Sequence, residues 1–167
     1  MKGQDIVILV KLASSSSPAW TYARLADAVG LSSSEAHASV GRLRLSGLVP
    51  GKSWRVAATA CADFLVHGLP YVFPASPGAE TVGVPTGPSL DRVRRELGLA
   101  RGRPLVWPYP GGSVRGEAVA PLHRSVPRIA LRDAQVHELL ALVDCLRLGR
   151  PRERALAARA IRKRLGA

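Results

Sequence analysis

The chain has few cysteines and no C-x-x-C pair, and this shortage excludes two classes of small protein. Its 167 residues include two cysteines, Cys61 and Cys145, which lie far apart in apolar surroundings. A disulfide framework or a zinc site therefore has little support. We expect two buried free thiols instead.

Long hydrophobic runs are also missing. No stretch approaches the roughly 20 apolar residues of a membrane-spanning helix. The apolar run at residues 6–10 is bracketed by Asp5 and Lys11, which leaves it shorter than the hydrophobic region of a signal peptide, about 7–15 residues. The sequence therefore predicts a cytoplasmic protein with no membrane partner.

Patterns typical of catalytic and metal sites are not found in the sequence. There is no G-x-S-x-G motif, the glycine-rich residues 111–116 do not match a phosphate-binding loop, and the four histidines lack metal-ligand spacing. We therefore expect no enzyme activity, no metal and no cofactor. His67, which precedes Gly68, is interpreted as the last residue of a helix, where an imidazole complements the terminal carbonyl groups.

Acidic residues are scarce relative to basic ones. The chain has 12 Asp and Glu against 24 Lys and Arg, a formal net charge of +12. Such an excess favours a polyanionic partner. Nucleic acid is favoured over a membrane surface, because no long basic helix carries bulky aromatic residues on its apolar face.

The composition changes twice along the chain, which divides it into three predicted regions. Residues 1–68 are predicted to be compact and mostly helical, with an opening helix at about residues 4–13 and a serine-rich linker at residues 14–18. Residues 69–130 hold ten of the 13 prolines, so we expect ordered loops and short extended segments, with no long helix except around residues 89–99. A disordered linker is the alternative, against which the large aromatic residues argue.

Residues 131–167 are predicted to form a helical hairpin. Apolar residues recur at helical spacing from Val136 to Leu146, and Gly149 and Pro151 mark the boundary between two helices. The second helix has an apolar stripe, formed by Ala157, Ile161 and Leu165. We expect the stripe to pack on the core or to form a two-fold dimer. The surrounding arginines form a solvated face, a second nucleic-acid contact or a surface for an acidic protein partner.

The most informative pattern lies at residues 21–49. Apolar residues at helical spacing lead to Gly30, which suits a helix end that needs a positive φ. Ser32 and Glu35 form an S-x-x-E capping box for a second helix. The sequence therefore predicts two helices joined by a very short turn. The second helix carries Ala36, Val40 and Leu43 on its buried face and ends near residues 47–49.

Residues 25–49 resemble, without a gap, the winged helix-turn-helix of bacterial regulators of the MarR-like and related groups. The shared features are Leu25 and Ala26, the turn at residues 30–32, Arg42 with Leu43, and residues 47–49. The resemblance implies a mainly α (α+β) fold, in which a winged helix-turn-helix precedes the proline-rich segment and the hairpin. The wing after residue 49 is expected to be short.

The resemblance also implies a DNA-recognition role for the second helix. Its exposed positions are small or hydroxylated, which suits a helix that enters the major groove, about 12 Å wide. Residues of its first two turns would face base edges, and nearby basic residues would bind phosphates. The predicted DNA-binding residues are Ser32, Ser33, Ser34, Glu35, His37, Ala38, Arg42, Arg44, Lys52 and Arg55.

These features together predict a homodimeric repressor that binds a short palindromic site in double-stranded DNA, since paired helices read symmetric half-sites. Two alternatives stay open. One is a non-enzymatic module that binds a protein partner, such as a toxin-neutralising protein that uses the basic hairpin. The other is an RNA-binding protein that uses the same positive charge.

Overall fold

A computed structural model describes residues 1–15 and 20–167, so most of the predicted serine-rich linker lies outside the described residues. The fold is mixed α+β, as predicted, and combines helices with a small sheet. The helices are α1 (Gly3–Ala13), α2 (Tyr22–Val29), α3 (Ser33–Leu45), α4 (Ala58–Asp63), α5 (Leu69–Val72), α6 (Asp91–Glu96), α7 (Val126–Ala130), α8 (Ala134–Leu148) and α9 (Pro151–Leu165). The strands are β1 (Glu80–Pro85), β2 (Leu105–Pro108) and β3 (Val114–Ala118).

Helix α1 lies at the centre of the core. Its apolar run is buried on every side, as expected for a helix that is hydrophobic all round. It contacts α2, α3 and α8, and Lys11 at its end forms an ion pair with Asp133 just before α8. The predicted opening helix is therefore confirmed, and it joins the first and last regions of the chain into one core.

The proline-rich region is ordered and contains the sheet. Strand β1 pairs antiparallel with both β2 and β3, and β2 pairs in parallel with β3. Helix α6 lies inside the predicted helical stretch. The expectation of ordered loops and short extended segments is thus confirmed for this region.

A buried polar cluster fastens the sheet to α8. Asp144 of α8 is almost fully buried and accepts hydrogen bonds from the Thr86 hydroxyl (2.7 Å), the Trp107 indole (2.7 Å) and the Arg147 guanidinium (2.6 Å). Burial raises the pKa of the Asp144 carboxyl, and these donors act in the opposite direction. Each donor comes from a different part of the chain, so the cluster fixes the sheet and a loop against one helix.

The C-terminal hairpin is confirmed, and its apolar stripe is covered within the chain. Ala157 and Ile161 are buried, and α9 packs against α8 and α4. The stripe therefore packs on the core rather than forming a free dimer surface. The two cysteines are buried free thiols, as predicted, and burial raises the pKa of each thiol to about 12.

The prediction for His67 is wrong, because the helix does not end at Gly68. A π-helical segment, Phe64–Gly68, joins α4 to α5 without a break. Pro70 has no N–H and its ring crowds the preceding turn, and a widened turn accommodates such a proline. The continuous helical run crosses the predicted boundary between residues 68 and 69.

In the described parts of the chain, no helix is both long enough and hydrophobic enough to cross a bilayer.

Candidate nucleic-acid interface

Residues 30–32 connect α2 to α3 in a tight turn. Gly30 has φ 65° and ψ 41°, a left-handed conformation that favours glycine. A Cβ at this position would also meet the end of the Arg128 side chain. The left-handed backbone therefore favours glycine, and the predicted helix end is confirmed.

The predicted capping box starts α3. The Ser32 hydroxyl accepts a hydrogen bond from the Glu35 backbone N–H (3.2 Å), and the Glu35 carboxylate accepts one from the Ser32 backbone N–H (2.9 Å). Hydrogen bonds from the Ser32 backbone and side chain hold the pKa of the Glu35 carboxyl below its ordinary value. The structure thus gives both residues a role in capping, and their contact with base edges stays a prediction.

One face of α3 is open to solvent. Ser33, Ser34, His37 and Ala38 are exposed, and Gly41 continues the same face with open space around it. The opposite face is buried against α1 and α2. The proline-rich region does not cover the open face, so a narrow, small-residue helix surface is presented outward.

Aromatic rings and a guanidinium support this helix from the side. The Tyr22 ring lies 4.7 Å from the His37 ring and 5.1 Å from the Trp54 ring, measured between centroids. Arg44 donates a hydrogen bond to the Tyr22 hydroxyl (3.0 Å) and lies over the Trp54 ring at 5.6 Å. Arg44 therefore fixes the loop after α3 against α2.

That loop, residues 50–57, carries Lys52 and Arg55, both exposed. It is closed by a hydrogen bond from the Ala57 N–H to the Leu48 carbonyl oxygen (2.9 Å), and none of its residues, all described, lies in a strand. The loop is short, as the sequence indicates, and it places two cations beside the C-terminal end of α3.

Arg42, by contrast, is only partly exposed and binds a residue of α1. Its guanidinium binds the Asp5 carboxylate through two hydrogen bonds, 2.8 Å from Nε to Oδ2 and 2.7 Å from Nη2 to Oδ1. Asp5 is fully buried in α1. A phosphate would have to compete with this buried carboxylate, so the structure favours Arg42 as the tie between α3 and α1, and its predicted contact with DNA has no geometric support.

The Asp5–Arg42 pair should make the free energy of unfolding depend on pH in the acid range. Burial alone would raise the pKa of Asp5, but hydrogen bonds from Arg42 and from the Lys2 backbone outweigh burial and hold the pKa below 3.8. This contribution to the free energy of unfolding is present above pH 3.8 and is lost as the pH falls further. We expect Asp5→Asn to have a lower free energy of unfolding at pH 7 and a shallower loss below pH 4. Urea unfolding at several pH values measures the free energy of unfolding of both proteins. The same pH dependence for Asp5→Asn and the unmodified protein would contradict the prediction.

Two further cations lie beside the start of α3. Arg128 of α7 contacts Gly30, and Arg124, just before α7, acts electrostatically on Glu35. Both side chains are exposed. Sequence reasoning missed them, because they are distant along the chain and no local motif marks them.

Comparisons with protein-family models, curated proteins and solved structures found no match. The function of this surface is therefore inferred from its own geometry and charge.

Proposed function

We propose that the chain is a transcriptional regulator that binds double-stranded DNA by placing α3 in the major groove. The observation that carries this proposal is the open face of α3, which combines small side chains with cations near both helix ends. In this proposal α2 and α3 form a helix-turn-helix, and residues 50–57 act as a short wing.

The dimensions of α3 suit this role. Its 13 residues extend roughly 20 Å at about 1.5 Å per residue. The major groove is about 12 Å wide, and small side chains let the backbone approach the base edges. Ser33, Ser34 and His37 would hydrogen-bond to bases, and Ala38 would provide apolar contact with thymine methyl groups.

The surrounding cations would bind the phosphate backbone. Lys52 and Arg55 lie after the C-terminal end of α3, and Arg124 and Arg128 lie beside its N-terminal end. Phosphate contacts set the position of a protein on the duplex, while base contacts give specificity. Arg44 would contribute by holding the wing in place, and Arg42 by holding α3 on the core.

The proposed regulator is a homodimer, since one recognition helix reads too few base pairs for specific binding and symmetric half-sites double the contact. The apolar stripe of α9 is already covered within the chain. The dimer contact would therefore use another surface.

Salt dependence tests the phosphate contacts. Fluorescence anisotropy with DNA from the promoter of the protein's own gene should show binding that weakens steeply with salt. We expect the double variant Lys52→Ala and Arg55→Ala to reduce the log–log slope by about 1.8, at about 0.9 per phosphate.

The matched control is Arg103→Ala with Arg115→Ala, which removes two exposed cations near the sheet and should leave the slope unchanged. A flat salt response of the unmodified protein would contradict the proposal. Preferential binding to structured RNA in competition would favour the RNA-binding alternative.

A further inference from the structure

A groove lies between the helical run at residues 58–72 and helix α9, in a part of the molecule that the proposed DNA contact does not use. The groove encloses about 500 Å³. Its lining is mostly apolar, with Pro70, Tyr71 and Ala158 among the residues, and Arg147 and Arg154 line it as well. We call this feature the Tyr71 groove.

Large apolar side chains are exposed at the edge of the Tyr71 groove. Tyr71 is 85% exposed, and the adjacent Val72 is 55% exposed. A single exposed apolar residue is ordinary, but an exposed tyrosine next to an apolar cavity resembles the centre of a protein interface. Tyrosine and arginine are both enriched at such centres.

Two arginines line the Tyr71 groove. Arg147 is paired with Asp144, whereas Arg154 has no acidic partner among the described residues. Arg162 and Arg164, later in α9, pair with Asp63 and Glu96. Among the described residues, no carboxylate lies within ion-pair distance of Arg150, Arg152 or Arg154. The one acid between them, Glu153, accepts a hydrogen bond from the Arg150 backbone N–H (2.9 Å). The groove therefore combines an apolar cavity with uncompensated positive charge.

We propose that the Tyr71 groove binds an acidic peptide segment of a protein partner. One apolar side chain of the peptide fills the cavity beside Tyr71, and neighbouring carboxylates pair with Arg154 and with Arg150, one helical turn before it. Guanidinium groups bind carboxylates through two parallel hydrogen bonds, so the contact is specific in its geometry as well as in its charge. A DNA duplex fits less well, because its phosphates would satisfy the arginines while its bases stay paired and stacked and leave the apolar cavity empty. A single strand could stack a base on Tyr71 and is therefore a competitor in the test.

A synthetic peptide tests this proposal on the full chain. The probe is a fluorescein-labelled peptide in which one leucine is flanked on both sides by glutamates, measured by fluorescence anisotropy. We expect saturable binding that weakens at least tenfold with Tyr71→Ala and with Arg154→Glu, and that persists with Arg132→Glu as the matched charge control. Replacing the peptide leucine with serine should weaken binding by a similar factor.

Other outcomes would overturn the proposal. These are no saturable binding of the probe, equal binding by the groove variants and the unmodified chain, or tighter binding of single-stranded DNA or RNA through the same residues. Because Tyr71 is exposed, Tyr71→Ala should remain folded, which circular dichroism checks. Promoter DNA binding by this variant should be unchanged, so failure here is distinguishable from failure of the proposed function.

Discussion

Replacing Ala38 with glutamate is expected to reduce binding to promoter DNA at least a hundredfold. Ala38 is exposed on the open face of α3, and glutamate is a good helix former, so the helix itself should tolerate the change. In the DNA complex, however, the carboxylate would meet base edges and phosphates without a cation partner. A hundredfold loss corresponds to about 2.8 kcal/mol of binding free energy. Anisotropy at low salt measures the loss.

Ala100→Glu is the matched control, since it introduces the same charge at another exposed alanine, in the loop between α6 and β2. It should change DNA affinity by less than threefold, and circular dichroism should show both variants folded. Retention of full affinity by Ala38→Glu would mean that α3 does not enter the groove. The alternative of a protein-binding module would then be favoured.

Replacing Arg147 with leucine is expected to cause a large loss in the free energy of unfolding. Arg147 pairs with the buried Asp144 and also donates hydrogen bonds to the carbonyl oxygens of Phe73 and Ala120. Without the guanidinium, the buried Asp144 carboxylate keeps only its two neutral donors, Thr86 and Trp107, and two carbonyl groups lose a donor. Removing one member of a buried ion pair typically costs about 3–5 kcal/mol. The midpoint temperature should fall by roughly 10 °C, at about 2–4 °C per kcal/mol, which calorimetry measures.

Arg162→Leu gives the comparison, because Arg162 forms an ion pair with Asp63 at the surface. Exposed ion pairs contribute about 0–1 kcal/mol, so the midpoint temperature should change by only a few degrees. Equal changes for the two variants would show that the Asp144 cluster does not hold the sheet against α8.

Local signals made the helix connection at residues 30–32 predictable. Gly30 ends α2 because its backbone is left-handed, and Ser32 with Glu35 starts α3 through hydrogen bonds three residues apart. The hairpin was predictable for a similar reason, because apolar residues at helical spacing mark its buried face. In each case the determining contacts lie close together in the chain.

Contacts between distant residues were not predictable. Arg42 has the position of a phosphate-binding residue in the sequence, but Asp5 of another helix reaches its guanidinium. Arg124 and Arg128 approach α3 only because the chain returns to it after the sheet. His67 was misread because Gly68 resembles a helix end, whereas the wider turn before Pro70 lets the helix continue.

The central position of α1 has a consequence for the autonomy of the proposed DNA-reading unit. One side of α1 supports α3, and another side is covered by α8 from the far end of the chain. A fragment ending at residue 68 would expose to water the apolar side chains of α1 that α8 covers. Cleavage in the proline-rich region followed by loss of the hairpin should therefore unfold α3 as well, so that the two ends of the chain unfold as one cooperative unit.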